Sequence, residues 1–200
     1  TVLALSGSGK KWDASFTNKG TVAWATTNSF TLSSHGTTFY NNGLVDIQDD
    51  ANIFTTYSTT FDNYGTLRKS GGAGTTTINT TFINRADASI DAASGFIRYT
   101  GPTTFEAGTR FLASNGGQHV FNSTTRTYNF NGPFSAPDHS IAFLDGIYLN
   151  ASDSTLALPG SFQWNGGTFR GEWRNDAGNT LTAVSGNGKD FNGTFTNNGT

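Results

Sequence analysis

The 200-residue sequence contains no cysteine and no methionine. A disulfide framework, a thiolate zinc site and a thiol nucleophile are therefore excluded by composition. The missing side chains are also the most easily oxidised, which suits a long life outside the cell. Charge is scarce too. Charged residues make up 13% of the chain, against about 25% in a typical domain, and the net charge is −2. No basic patch marks a nucleic-acid surface. No run of 18 apolar residues occurs, so no membrane span is expected. The chain opens at Thr1 without an initiator Met or a signal-peptide pattern, which reads as a processed product or a piece of something longer.

What is present is far from average usage: 25 Gly, 32 Thr and 20 Asn. Aromatics make up 14% of the chain, 17 of them Phe. Large rings must be buried somewhere, and a disordered chain lacks them.

One frame recurs: an aromatic, any residue, Asn, then turn residues. It is found at Phe16–Asn18, Phe39–Asn41, Phe61–Asn63, Phe82–Asn84, Trp173–Asn175 and Phe195–Asn197. The Asn spacings are 23, 22 and 21, then 91, then 22. The long gap divides into four steps. Phe105–Ala107, Tyr128–Phe130 and Tyr148–Asn150 fall near the missing ones. Periods of this size mark solenoids and arrays. Helical repeats do not fit, because Gly, Asn and β-branched Thr dominate and no segment holds a 3.6-residue period. Short alternating runs such as "TVAWA" and "LVDIQ" read as strands. Propeller blades need about 40 residues per repeat, twice this period. An antiparallel sandwich with Asn-Gly hairpins is the competing reading, but its hairpins recur at uneven intervals of about 8–12 residues.

The predicted fold is therefore all-β: a parallel β-helix (β-solenoid) of about 22 residues per coil and eight or nine coils, right-handed by the usual crossover preference. Residues i and i+2 of a strand share a face, so the aromatic and the Asn both point inward. The Gly that follows is expected to allow positive φ and bend the chain. Val22, Val45, Leu67, Ile90 and Leu181 then restart an inward face. Stacked coils would place Phe on Phe and Asn on Asn about 4.8 Å apart, with the amides bonded into a ladder.

A longer period is superimposed. Residues 180–200 align without a gap on residues 1–21, at an offset of 179, with 11 of 21 positions identical. "SGSGK" and "SGNGK" precede the aromatic frame in both. The chain thus reads as one continuous solenoid: a unit over 1–179, and the start of the next copy at 180–200. Both ends are ordinary coil sequence, which predicts that a neighbouring unit covers each. The segments "TFRGEWRNDAGNTLTAVSGNGKDFNGTFTNNGT", "FQWNGGTF" and "FDNYGTLRKSGGAGTTTI" resemble those of giant, repetitive bacterial surface proteins, in the style of filamentous-haemagglutinin and autotransporter-passenger adhesins. The resemblance implies secretion, cell-surface display and an adhesive or fibrous role. It supplies no catalytic residues. Residues 111–160 depart from the frame, and Pro133, Pro137, Pro159 and "SAPDHS" predict a distorted coil there.

Other constellations have plainer readings. Asp46, Asp49 and Asp50 form the best acidic cluster, with Asp62 or Arg68 one coil away. Such a cluster is what a polysaccharide-cleaving β-helix enzyme or a calcium site would need, but it also reads as a solvated turn. His35, His119 and His139 are scattered. "GSGK" at 7–10 lacks the phosphate-loop frame, because Lys11 follows Lys10. Thr at 75–77, 103–104 and 124–127 keeps no common phase, as an ice-binding rank would require. Trp12, Trp24 and Trp164 read as core before they read as sugar platforms. Asn79, Asn122, Asn150, Asn192 and Asn198 head glycosylation sequons.

The function expected is a non-enzymatic structural or adhesive protein at the cell surface. It would form a fibre by end-to-end stacking, with itself as partner, cell-surface glycans as a further partner, and no cofactor. The alternatives are a carbohydrate-active enzyme and a glycan-binding module.

Overall fold

The computed structural model describes residues 1–7, 10–184 and 186–200, and among them every paired strand lies parallel to its neighbour and no helix occurs. The chain winds into a β-solenoid of about nine coils, about 22 residues apart. Each coil has three faces. The first face runs through Val2–Leu5, Thr21–Trp24, Leu44–Ile47, Thr66–Lys69, Ser89–Ala92 and Arg110–Ala113. The second starts with Lys10–Trp12, Phe30–Leu32 and Ile53–Thr55 and ends with Phe162–Trp164 and Leu181–Ala183. The third starts with Phe16–Asn18 and Thr38–Asn41 and ends in the first halves of Gly167–Asn175 and Lys189–Asn197.

Alternation sets the register. A slip of one residue would turn every inward side chain outward, so apolar columns lock each coil onto the last. On the first face Val22, Val45, Leu67, Ile90 and Phe111 are register partners in sequence, and all are buried. On the second, Phe30, Ile53, Ile78, Tyr99, Phe121, Phe143 and Trp164 form the column. Leu181 continues the second face, next to Phe162, and does not restart the first, contrary to the expectation from the repeat.

The glycines of the Asn-x-Gly corners serve a purpose other than the expected one. None of Gly20, Gly43 and Gly65 has positive φ. A Cβ on Gly43 or Gly65 would instead lie 2.1 Å from the carbonyl oxygen of the glycine one coil before. The column thus needs glycine for close backbone approach between coils.

The distorted coil lies where the prolines stand. The segment 133–137 occupies the first-face slot of the seventh coil, yet its one β-bridge there is Arg110 with Ser135. Proline offers no N–H to the ladder. The first-face slot is filled again by Leu156–Leu158, Trp173–Asn175 and the end of Lys189–Asn197, which pair with one another in turn.

Candidate functional site

Among the described residues the most regular polar arrangement is the ladder of stacked side chains, and it is the candidate site. Phe16, Phe39, Phe61 and Phe82 are consecutive register partners on the third face. Phe16 and Phe39 stack at 5.2 Å between ring centroids, and Phe39 and Phe61 at 5.0 Å. Two residues on, the Asn side chains form a chain of hydrogen bonds. Asn18 Nδ2 donates to Asn41 Oδ1 at 2.8 Å, Asn41 to Asn63 at 2.7 Å, and Asn63 to Asn84 at 2.6 Å. Each also donates across the corner to a first-face carbonyl; Asn41 reaches Thr66 O at 2.9 Å and Asn63 reaches Ser89 O at 3.1 Å. Buried amides are thereby satisfied in both directions. The ladder closes on Thr109, whose Oγ1 accepts from Asn84 at 3.0 Å.

The six frames do not share one column. Trp173 is the register partner of Leu156 on one side and of Phe195 on the other, in the first-face slot. Asn175 donates to Asn197 at 2.9 Å and to Thr200 O at 3.3 Å, which repeats the corner geometry of Asn41 on a different face. Below Asn175 stands Leu158, which has no amide to offer, and Asn175 Oδ1 is buried without a partner. The intermediate frames also differ from expectation. Tyr128 and Tyr148 do continue the Phe column, but Phe105 pairs with Asn84 and stands in the Asn column, while Thr103 pairs with Phe82.

The ladder's energetic weight is testable. Replacing Asn63 with Ala strips Asn41 of its acceptor and Asn84 and Ser89 of a donor. We expect a loss of about 2–3 kcal/mol in urea unfolding, since each orphaned buried polar group costs about 1–3 kcal/mol. Asn197→Ala, at an exposed rung, should cost well under half as much.

The acidic cluster resolves into separate ion pairs. Asp46 faces Arg68 on the first face, with Arg68 Nε 3.0 Å from Asp46 Oδ1. Burial works against the Asp46 carboxylate, but hydrogen bonds from Arg68, Ser70 and Gln48 outweigh it and hold its pKa below the ordinary value. Asp91, on the other side of Arg68, is raised by burial. Asp62 lies on the third face and pairs with Arg85 at 2.7 Å. Asp50 holds the ammonium of the fully buried Lys69 at 2.8 Å. Among the described residues, no group of three or more His, Asp or Glu is placed to hold a metal ion.

The histidines stay apart. His35 lies tilted against Tyr57, and His139 sits in a loop with φ of 58°. His119 is buried between the Tyr99 hydroxyl (2.9 Å from Nδ1) and Leu112 O (2.9 Å from Nε2). A carbonyl only accepts, so Nε2 carries the proton and the Tyr99 hydroxyl donates to Nδ1. Desolvation lowers the His119 pKa from 6.5 to about 4. The folded pKa is the lower one, so the unfolded chain takes up a proton that the folded one refuses. Stability should be level above pH 6.5, fall between pH 6.5 and 4 by about 3 kcal/mol, and level off below, as far as this residue is concerned. His119→Gln should flatten that part of the urea-unfolding profile.

Trp24 and Trp164 are buried, and Trp12 stacks on Phe30 at 4.3 Å, so these rings are core rather than sugar platforms. Thr76 and Thr103 are buried while Thr124 and Thr125 are exposed, so no continuous Thr rank forms. Of the sequons, Asn150 is buried, and Asn79, Asn192 and Asn198 are exposed. The "GSGK" and "SGNGK" lead-ins include Ser8, Gly9 and Ser185, which lie outside the described residues. The repeat frame does not mark an outer patch that the fold forms on the third face and its corner. Tyr40 and Tyr64 are 37% and 50% exposed, and the Arg85 guanidinium lies 5.4 Å from the Tyr64 ring centre. Comparison with known proteins found no matching family model, no matching curated protein and no matching solved structure.

Proposed function

We propose that this chain is a length of structural, adhesive β-solenoid displayed outside the cell, in which units of about 179 residues follow one another end to end in a fibre or stalk. The observation that carries this reading is the recurrence of the first coil in the last. Residues 180–200 repeat the sequence of 1–21. Asn197 and Thr200 also accept from Asn175 as Asn63 and Thr66 accept from Asn41. This supports the reading that a coil starting one unit serves as the next rung on the coil that ends another. The low charge density favours such stacking, because neighbouring rungs set few like charges against each other.

Electron micrographs and fibre diffraction of the native material test the proposal. A filament with an axial reflection near 4.8 Å, about 38 Å of rise for eight coils, is the expected outcome. A discrete particle of uniform short length would overturn it. A second reading, a glycan-binding surface, is favoured by the exposed Tyr40 and Tyr64 beside the Asp62–Arg85 pair. Aromatic faces and bidentate polar groups together suit sugar rings. Binding on a glycan array that Tyr64→Ala abolishes would support it.

A further inference from the structure

The repeat in the sequence and the repeat in the structure are out of step. Phe16 stands on the third face of the first coil. Its sequence equivalent, Phe195, stands in the first-face slot of the tenth, since its strand follows the ninth pass along the third face. The residue stacked above Phe16, eight coils up the same column, is Phe191. Phe191 is the equivalent of Trp12, a second-face residue. Leu181 tells the same story, because it is the equivalent of Val2 on the first face and lies on the second. Three separate segments therefore shift in the same sense by the same amount.

From this we infer that one 179-residue unit advances the solenoid by eight coils and one face, so that each successive unit is set one face further round the axis. The inference rests on the end-to-end reading above and gives it a geometry. The partner that fits the coil at 180–200 is another copy of this sequence, turned by one face. Three copies make 25 coils and restore the starting orientation. The Phe-x-Asn corner, and any outer patch such as Tyr64 with Arg85, then passes to each of the three faces in turn. The fibre presents its patches on all sides instead of along one stripe. Two neighbouring fibres meet with matching faces only once in three units.

The physical origin lies in the middle of the unit. Between Asn84 and Asn175, 91 residues cover four coils and one further face. Gly171 and Gly193, with φ of 89° and 146°, stack at the added corner. Each takes the chain from the Phe169–Phe191 column straight into the Trp173–Phe195 column without a loop.

The absence of cysteine makes the phase testable by engineered disulfides. Register partners on parallel neighbours lie about 4.8 Å apart, within disulfide reach. Leu149 is the partner of Arg170, and Gln163 of Thr182; all four point outward. If the unit held a whole number of coils, Leu149 would stand beside Arg174 and Ala157 beside Thr182. We expect L149C/R170C and Q163C/T182C to oxidise within one chain at least about ten-fold faster than L149C/R174C and A157C/T182C. The two sets probe different faces, so loss of one variant to misfolding leaves the other to decide. Faster closure of L149C/R174C or A157C/T182C would overturn the inference. The outcome is independent of whether filaments exist: absent filaments would sink the end-to-end reading and leave the cross-links standing, whereas wrong cross-links would sink the phase even in a filament.

Discussion

Asp50→Ala should destabilise the solenoid by about 3 kcal/mol, far more than a loop carboxylate usually does. The reason is Lys69. It occupies an inward position of the first face, between Ile47 and Ala92 in register, and has no exposed surface. Its ammonium is held by Asp50 Oδ1 at 2.8 Å, Gly72 O at 2.9 Å, Asp49 O at 3.4 Å, and Gly71 O. Asp50 Oδ1 also accepts from Gly74 N at 3.0 Å. Removing the carboxylate leaves a buried cation with carbonyl dipoles alone, and an orphaned N–H. Truncating one partner of a buried pair costs about 3–5 kcal/mol, and the three remaining carbonyls place this case at the low end. Lys69→Met takes the charge away from the inside instead. It leaves a partly exposed Asp50 and should cost under about 1.5 kcal/mol. Asp49→Ala removes one hydrogen bond, to Asp50 N, and should cost about 1 kcal/mol or less. Urea unfolding of the three variants checks the order. Equal losses for Asp50→Ala and Asp49→Ala would refute the buried-charge account. The same comparison bears on the carbohydrate-enzyme alternative: activity lost in Asp50→Ala could follow from unfolding, so Asp49→Ala is the variant to read.

The coil length and the contents of the early columns were legible because they rest on spacing and alternation. Phe39, Phe61 and Phe82 recur at 22 and 21 residues, and each Asn follows two later. What spacing cannot show is a slip that preserves parity. Thr103 and Phe105 both point inward, so assigning the aromatic to the Phe column was as consistent with alternation as the register that forms. The phase shift was hidden for a similar reason. Phe191 and Phe195 are four residues apart and both stand in register over inward aromatic residues, Phe169 and Trp173, while second-face steps range from 25 residues between Ile53 and Ile78 to 19 between Trp164 and Ala183. A four-residue offset disappears in that variation. The ion pairs could not be read at all, because "LRKSGG" does not reveal that Lys69 points in and that its partner sits 19 residues upstream. The role of the corner glycines is not legible in the sequence, because close approach and positive φ leave the same residue there.

Phe61→Ala is expected to have the largest effect of any single truncation in the early coils, about 4–5 kcal/mol. Phe61 has no exposed surface, and its ring lies 5.0 Å from Phe39, 5.7 Å from Phe82 and 6.1 Å from Phe30. Large-to-small changes at such sites cost about 3–5 kcal/mol, depending on how far the surroundings collapse. Here collapse is opposed along the axis. The coils above and below are held at ladder spacing by their backbones and by the Asn41–Asn63–Asn84 chain. Phe39 and Phe82 therefore cannot close the gap, and the cavity persists. Phe61→Leu keeps most of the volume and should cost under about 1.5 kcal/mol. Phe191→Ala, in the same column but 43% exposed, should cost less than half as much as Phe61→Ala. A solenoid's coils contact only their neighbours, so the damage should be local. In native-state hydrogen exchange, amides of Thr38–Asn41, Thr60–Asn63 and Thr81–Asn84 should lose protection before those of 141–150. Uniform loss along the chain would mean that the coils unfold as one unit, and an effect equal to that of Phe191→Ala would mean that the stacked column is not what holds them.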